Sequence, residues 1–251
     1  MLCYIYDGSF DGLLTCIYEA YYRKEKPQKI LWEENAQQSL LMDNVHIQTD
    51  GQKAEKVYKA IQSKISHLAL KNVFYVFLSE VEDAGTFVYE YVKLGFKMGA
   101  DVNLNLANDI VLNVHKTSQK VNREKHFMLG LIRFRALEGN VFYALIEPQY
   151  NILGLVAPHF AHRMANENWM IHDVKRSTAV LYNQKEWVIK EVDEIRTWKL
   201  DQEEAMFQKL WQQYFKSIAI KNRINPKLQK RNMPMRYWRY LVEKAEGEGI
   251  R

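Results

Sequence analysis

The 251-residue chain predicts an α+β fold: an antiparallel sheet with packed helices, a helical N-terminal half and a basic C-terminal helical tail. Three observations carry this. Apolar residues recur at spacings of three and four through about 52–130. Short alternating runs then follow one another through about 131–195, whereas a doubly wound sheet would alternate strand with helix. Between Lys216 and Lys244, nine basic side chains face Glu243 as the sole acid. The length suffices to bury a sizeable core, and the chain reads as a single domain, 1–251, whose tail covers about 201–246.

LCYIYDG reads as a strand closed by an Asp-Gly turn. In SFDGLLTCIYEAYYRK, Leu13, Leu14, Ile17, Tyr18 and Tyr21 fall at helical spacing, with Ser9 or Asp11 as the cap. EKPQK breaks that helix, and ILWEENAQQSLLMDNVHIQTD holds one or two short strands. From Gln52 the helical pattern of Val57, Ala60, Ile61, Ile65, Leu68 and Ala69 takes over. VFYVFLSE is strand-like on its own, but its neighbours make it a buried helix. AGTFVYEYVKLGFKMG is a further helix stopped by Gly99. Across 107–130 a long helix carries Ile110, Val111, Val114, Ser118, Val121, Lys125 and Met128 on one stripe.

GLIRFRALEGNVFYALIEP predicts two strands joined at Glu-Gly-Asn, with Arg133 and Arg135 on one face of the first. ILGLVAPHFAHRMANE is helical after Pro158. WMIHDVKRSTAVLYNQKEWVIKEVD gives two or three short antiparallel strands, in which Asp173 and Lys175 share a face. Asp201 and Glu204 have capping-box spacing before a helix whose one face holds Phe207, Leu210, Trp211, Tyr214, Phe215 and Ile218. Pro226 and Pro234 bracket a basic connector. The last helix starts after Pro234, with Met235, Trp238, Leu241, Val242 and Ala245 packing inward and Arg236, Arg239, Tyr240, Glu243 and Lys244 facing out.

Composition excludes several classes. Cys3 and Cys16 form neither a CxxC pair nor a CxxxCxxC cluster motif, so they read as reduced thiols of a cytoplasmic protein. No signal-peptide pattern opens the chain, and VFYVFL and ILGLVA are too short to span a bilayer. Phosphate-cradling glycine loops, GxSxG and HExxH are absent. No cofactor or metal is assigned. The net charge of +5 is modest, but its concentration in the tail points to a polyanionic partner.

Local clusters remain as candidates. YDGSFDG sets Asp7, Ser9 and Asp11 around a glycine turn, suited to a site or to turn chemistry and capping. REKHFMLGLIRFR offers Glu124, His126, Arg133 and Arg135; Glu124 and His126 diverge on a helix, so only one of them faces any site. PHFAHRM holds His159, His162 and Arg163, either satisfied structurally or facing an anion. IHDVKR holds Asp173 and Arg176, a base or an ion pair. The tail mixes arginine with aromatic residues, as a surface for phosphates and stacked bases would.

These blocks together carry a resemblance. YDGSFDGLL, REKHFMLGLIRF, HFAHRM, WMIHDVKR and MPMRYWRYLVE, in order over nearly the whole chain, resemble a bacterial family described as probable DNA metabolism protein, a domain of unknown function. The resemblance implies a gene neighbour of radical-SAM type, thought to act in DNA modification or repair, and a similar domain fused to uracil-DNA-glycosylase-like proteins. Lacking cluster-binding cysteines and a glycosylase domain, this chain would be the accessory half. It departs from the family at Phe127, where arginine is usual, and at His162, where aspartate is frequent.

The expectation is a cytoplasmic DNA-binding or DNA-processing accessory protein in repair or modification, working with a radical-SAM partner. Arg223, Lys227, Arg231, Arg236, Arg239 and Tyr240 would hold the backbone with Arg133 and Arg135. Asp7, Ser9, His126, His159, Arg163, Asp173 and Arg176 would line a pocket. Asp7 or Asp173 would serve as general base and His126 or His159 as proton donor, should the protein be an enzyme, which the sequence leaves open. A protein–protein adaptor without nucleic-acid binding, or a free-standing hydrolase or nuclease on phosphorylated substrates, stands as the alternative.

Overall fold

A computed structural model describes residues 2–24, 26–36, 43–192, 199–218, 220–223 and 225–244. It forms two compact units, divided after Asn122. The class is α+β with two sheets.

The N-terminal unit is built on three parallel strands, β1 (Leu2–Tyr6), β2 (Lys29–Trp32) and β3 (Asp43–His46), in the order β2-β1-β3. Parallel pairing here departs from the purely antiparallel expectation. Its basis is the helix α1 (Phe10–Tyr22), which carries the chain from β1 back to the start of β2. Ser9 caps α1 by accepting from the Gly12 N–H, and the helix buries its own Leu13, Leu14 and Ile17. A short turn of helix, α2 (Glu33–Ala36), follows β2.

The helical run after Gln52 is two helices, α3 (Gly51–Lys64) and α4 (His67–Leu78), because Ser66 caps a new start at the Ala69 N–H. VFYVFL lies in α4, a helix as its neighbours required. α5 (Ala84–Met98) ends at Gly99, whose φ of +63° is the left-handed stop. Gly85 lets α5 approach β2: a Cβ there would sit 2.5 Å from the Ile30 carbonyl oxygen.

The unit boundary falls within α6 (Asp109–Leu131). Its buried stripe runs through Val111, Val114, Ser118, Val121, Glu124 and Met128. Lys125 was expected there, and Glu124 takes the place instead, three residues after Val121 and four before Met128.

The C-terminal unit is a five-stranded sheet in chain order: β4 (Arg135–Leu137), β5 (Val141–Ile146), β6 (Asn168–Asp173), β7 (Thr178–Asn183) and β8 (Trp187–Glu191). Gly139 and Asn140 turn β4 into β5 at positive φ, as Glu-Gly-Asn required. β5 and β6 are parallel, joined by α7 (Leu153–Arg163) as a βαβ crossover; the other pairs are antiparallel. α7 begins at Leu153, five residues before the predicted start at Pro158, which the helix accommodates inside. On one sheet face Phe160 meets Phe134 and Trp169 edge-on, and Trp169 stacks on Tyr182. The other face carries Leu137, Tyr143, Met170 and Ala179.

Three expectations are corrected near the sheet. α6 runs to Leu131 and β4 starts at Arg135, so Arg133 and Arg135 do not share a strand. β6 ends at Asp173, so Lys175 belongs to the following turn. The helix after Asp201, α8 (Glu204–Ser217), has Glu203 at its cap; the Asp201 carboxylate accepts from the Glu203 N–H, and Glu204 turns inward to accept from the Ala136 N–H.

The tail differs most from prediction. The connector between the prolines is itself a helix, α9 (Pro226–Asn232), capped by Asn225. The expected last helix is a 3₁₀ turn over Met235–Tyr240, closed at Leu241. Its tighter winding buries Tyr237 and exposes Met235, so Tyr237 fills the place foreseen for Trp238. Ala245 lies outside the described residues. No described helix is long and apolar enough to cross a membrane.

Candidate functional site

Register sets the geometry of the C-terminal unit. Ile146 pairs with Asp173, so the parallel strands β5 and β6 end side by side and their following loops run together. The Arg176 guanidinium donates to the carbonyls of Pro148 and Gln149, and the Lys175 ammonium also donates to Gln149. Glu124 closes the other side of the loop, accepting from the backbone N–H groups of Gln149 and Tyr150 at 2.8 Å each.

The tail docks on the same loop. The buried Tyr237 hydroxyl donates to Glu124, and Arg236 lies 3.7 Å from the same carboxylate. Tyr240 donates to Glu147 at 2.7 Å, and Arg239 pairs with it as well. Burial and Glu147 together push the Tyr240 phenol up to about 12. Blocks at 124, 147–150, 173–176 and 236–240, distant in sequence, therefore meet at one end of the sheet. Their carboxylates are engaged: Asp173 is buried, paired with Arg176 at 2.8 Å and accepting from the Lys175 N–H. Burial raises the Asp173 carboxyl, against the pull of Arg176.

A further tail contact uses Glu243, buried against Arg133 and accepting from the Trp211 indole N–H at 3.0 Å. Burial pushes its carboxyl up, but the hydrogen bonds from Arg133 and Trp211 outweigh this and hold it below the usual carboxylate range. Arg133 also lies over the Trp211 ring, 5.4 Å from its centroid.

That contact borders a cleft of about 900 Å³. Phe134 and Phe142 line it from the sheet side, and Phe207, Trp211 and Tyr214 from α8. The predicted apolar stripe of α8 therefore faces the cleft and is not sealed into a core: Phe207 is 54% exposed and Tyr214 53%. Arg133 and Arg163 supply the cations. Arg163 is exposed and has no ion pair among the described residues. Arg223, Lys227, Lys230 and Arg231, on and just before α9, are likewise exposed and unpaired among the described residues.

The other predicted residues scatter. Asp7 and Ser9 come together in the N-terminal unit, where Asp7 accepts from the Ser9 N–H, the Ser9 hydroxyl and Thr49. Partial burial pushes Asp7 up, but these hydrogen bonds outweigh it and leave the carboxyl below its ordinary range. His126 is exposed on α6, diverging from buried Glu124. His159 is exposed on α7, edge-on to Phe160. Arg135 is partly buried in β4, near Glu204. Phe127, where the resemblance would place arginine, lies under the Arg123 guanidinium at 5.3 Å. Among the described residues, no three His, Cys, Asp or Glu side chains gather as a metal site would require.

Sequence reasoning missed Glu147, Gln149 and Tyr237. Only the three-and-four spacing through Glu124 signalled the inner end of that network.

An α+β protein with an aromatic cleft edged by arginines and a clamped basic tail is thus defined. The chain belongs to the family described as a domain of unknown function, DUF4130, which it matches over residues 82–243. That span takes in the five-stranded sheet, the cleft and the tail through Glu243. No protein of curated function matches the chain.

Proposed function

We propose that the protein binds DNA, taking unpaired bases into the α8 cleft and phosphates on its exposed cations, as an accessory factor in DNA repair or modification. The observation that carries this is the row Phe207–Trp211–Tyr214, open to a cleft with Arg133 and Arg163. Aromatic faces stack on any base, and arginine or lysine beside them takes the backbone, which is the chemistry of single-strand binding. The exposed cations around α9 add to the same electrostatic field. A radical-SAM enzyme as partner follows from the resemblance of the motif blocks, as does the repair or modification context. Cytoplasmic residence is part of the same proposal.

A second reading has its own support. Met206 and Leu210 on α8 and Ile218 at its C-cap are also exposed, and an amphipathic helix of a protein partner would cover such a stripe. Oligonucleotide binding separates the two. Labelled single- and double-stranded DNA of equal length should bind with the single strand preferred. Phe207→Ala/Tyr214→Ala should weaken that single strand roughly a hundredfold, from about 1–3 kcal/mol per stacked base. A cleft that ignores both forms of DNA belongs to the adaptor.

A further inference from the structure

The N-terminal unit holds a second cleft, of about 420 Å³, that the DNA-binding proposal does not use. Val57 and Ala60 of α3 form its floor with Ile17 of α1. Tyr22 stacks on Tyr18 with ring centroids 4.4 Å apart, and at 75% exposure it keeps an outer ring face open. Tyr21 stands edge-on to Phe96, 5.5 Å away, on the α5 side.

Charge complements this aromatic lining. Lys56 and Lys64 both line the cleft, and neither has an ion pair among the described residues. They lie eight residues apart on α3, about 12 Å along the axis, with Ala60 midway. The small side chain leaves room for a flat ring between two ammonium groups. Glu19 of α1, which would repel an anion, is already taken up by Lys53 at 2.8 Å and Arg23 at 2.7 Å.

We propose that this cleft is a nucleotide site. A planar base would lie over Ala60 against the tyrosines, and its phosphate would rest on Lys56 or Lys64. Stacking and cation–anion contact are separately weak, and the cleft provides both within one monophosphate's reach. An acidic peptide would satisfy the lysines but leave the tyrosine faces unused, so a nucleotide is the favoured occupant.

The test is equilibrium binding of dTMP to the full chain, with thymidine and inorganic phosphate as control probes. Saturable dTMP binding is expected, with thymidine and phosphate each at least tenfold weaker. Ala60→Leu, which fills the floor, and Tyr22→Ala should each weaken dTMP roughly tenfold, and Tyr22→Phe should restore it. In a Phe207→Ala/Tyr214→Ala background, where the α8 cleft has lost its stacking faces, saturable dTMP binding should persist and remain sensitive to Ala60→Leu, which separates this site from the α8 cleft. Urea midpoints within error of wild type would certify each variant as folded. Absence of saturable dTMP binding, equal binding of phosphate alone, equal competition by a glutamate peptide, or indifference to Ala60→Leu would each overturn the proposal.

Discussion

At the scale of single residues, the tail is held by two buried carboxylates with different partners. Glu124 satisfies two backbone N–H groups and a tyrosine hydroxyl, so it acts as a rivet and not as a base. Tyr237→Phe keeps the ring and removes one donor. It should cost about 1.5–3 kcal/mol in urea unfolding, the usual range for a hydrogen bond to a charged group. Arg133→Met is harsher, because it leaves the Glu243 charge buried without its guanidinium partner. A loss of about 3 kcal/mol at neutral pH is expected. Since Glu243 is held below its ordinary range in the folded protein, its stabilisation is present above the unfolded carboxylate pKa and is lost as pH falls through the folded one. The stability gap between wild type and Arg133→Met should therefore narrow on acidification from pH 6 toward pH 3. A gap that stays constant would mean that the pair contributes nothing through charge. Which acids would be buried was barely legible beforehand. Glu124 is visible in the α6 spacing, whereas Glu147 and Glu243 take their roles from partners roughly a hundred residues away, which no local pattern encodes.

At the scale of elements, periodicity served where one face of a helix or strand alone was buried. It placed α1, α5 and α6 and gave the hairpin between β4 and β5, because caps, left-handed stops and turn glycines act locally. It failed where tertiary contacts override it. Met235–Tyr240 has a plausible α-helical stripe, yet the docking of Tyr237 on Glu124 and Tyr240 on Glu147 fits a 3₁₀ turn. α8 shows the converse: its stripe is real but lines an open cleft. This yields a sharp expectation. Apolar residues of a core cost several kcal/mol on truncation, but Phe207 and Tyr214 are half exposed. Phe207→Ala/Tyr214→Ala should shift the thermal midpoint by no more than a degree or two while weakening single-stranded DNA. A large fall in stability would mean that the α8 face is core.

At the scale of the whole molecule, a net charge of +5 conceals its own distribution. The tail cations divide into two sets. Arg236 and Arg239 are committed to Glu124 and Glu147, so their removal would disturb the clamp as well as any ligand. Lys227, Lys230 and Arg231 on α9 are exposed and unpaired among the described residues. Sequence alone counted all of them alike; the structure makes the α9 set the clean probe of DNA binding. The most direct measurement is the affinity for a labelled single strand across a salt series, in wild type and in Lys227→Ala/Lys230→Ala/Arg231→Ala. Proposed DNA binding predicts a linear fall of log affinity with log salt, and a slope shallower by about 2 in the variant, from roughly 0.7 for each phosphate that a cation no longer neutralises. Binding that is absent at low salt, or a slope identical in both proteins, would contradict it.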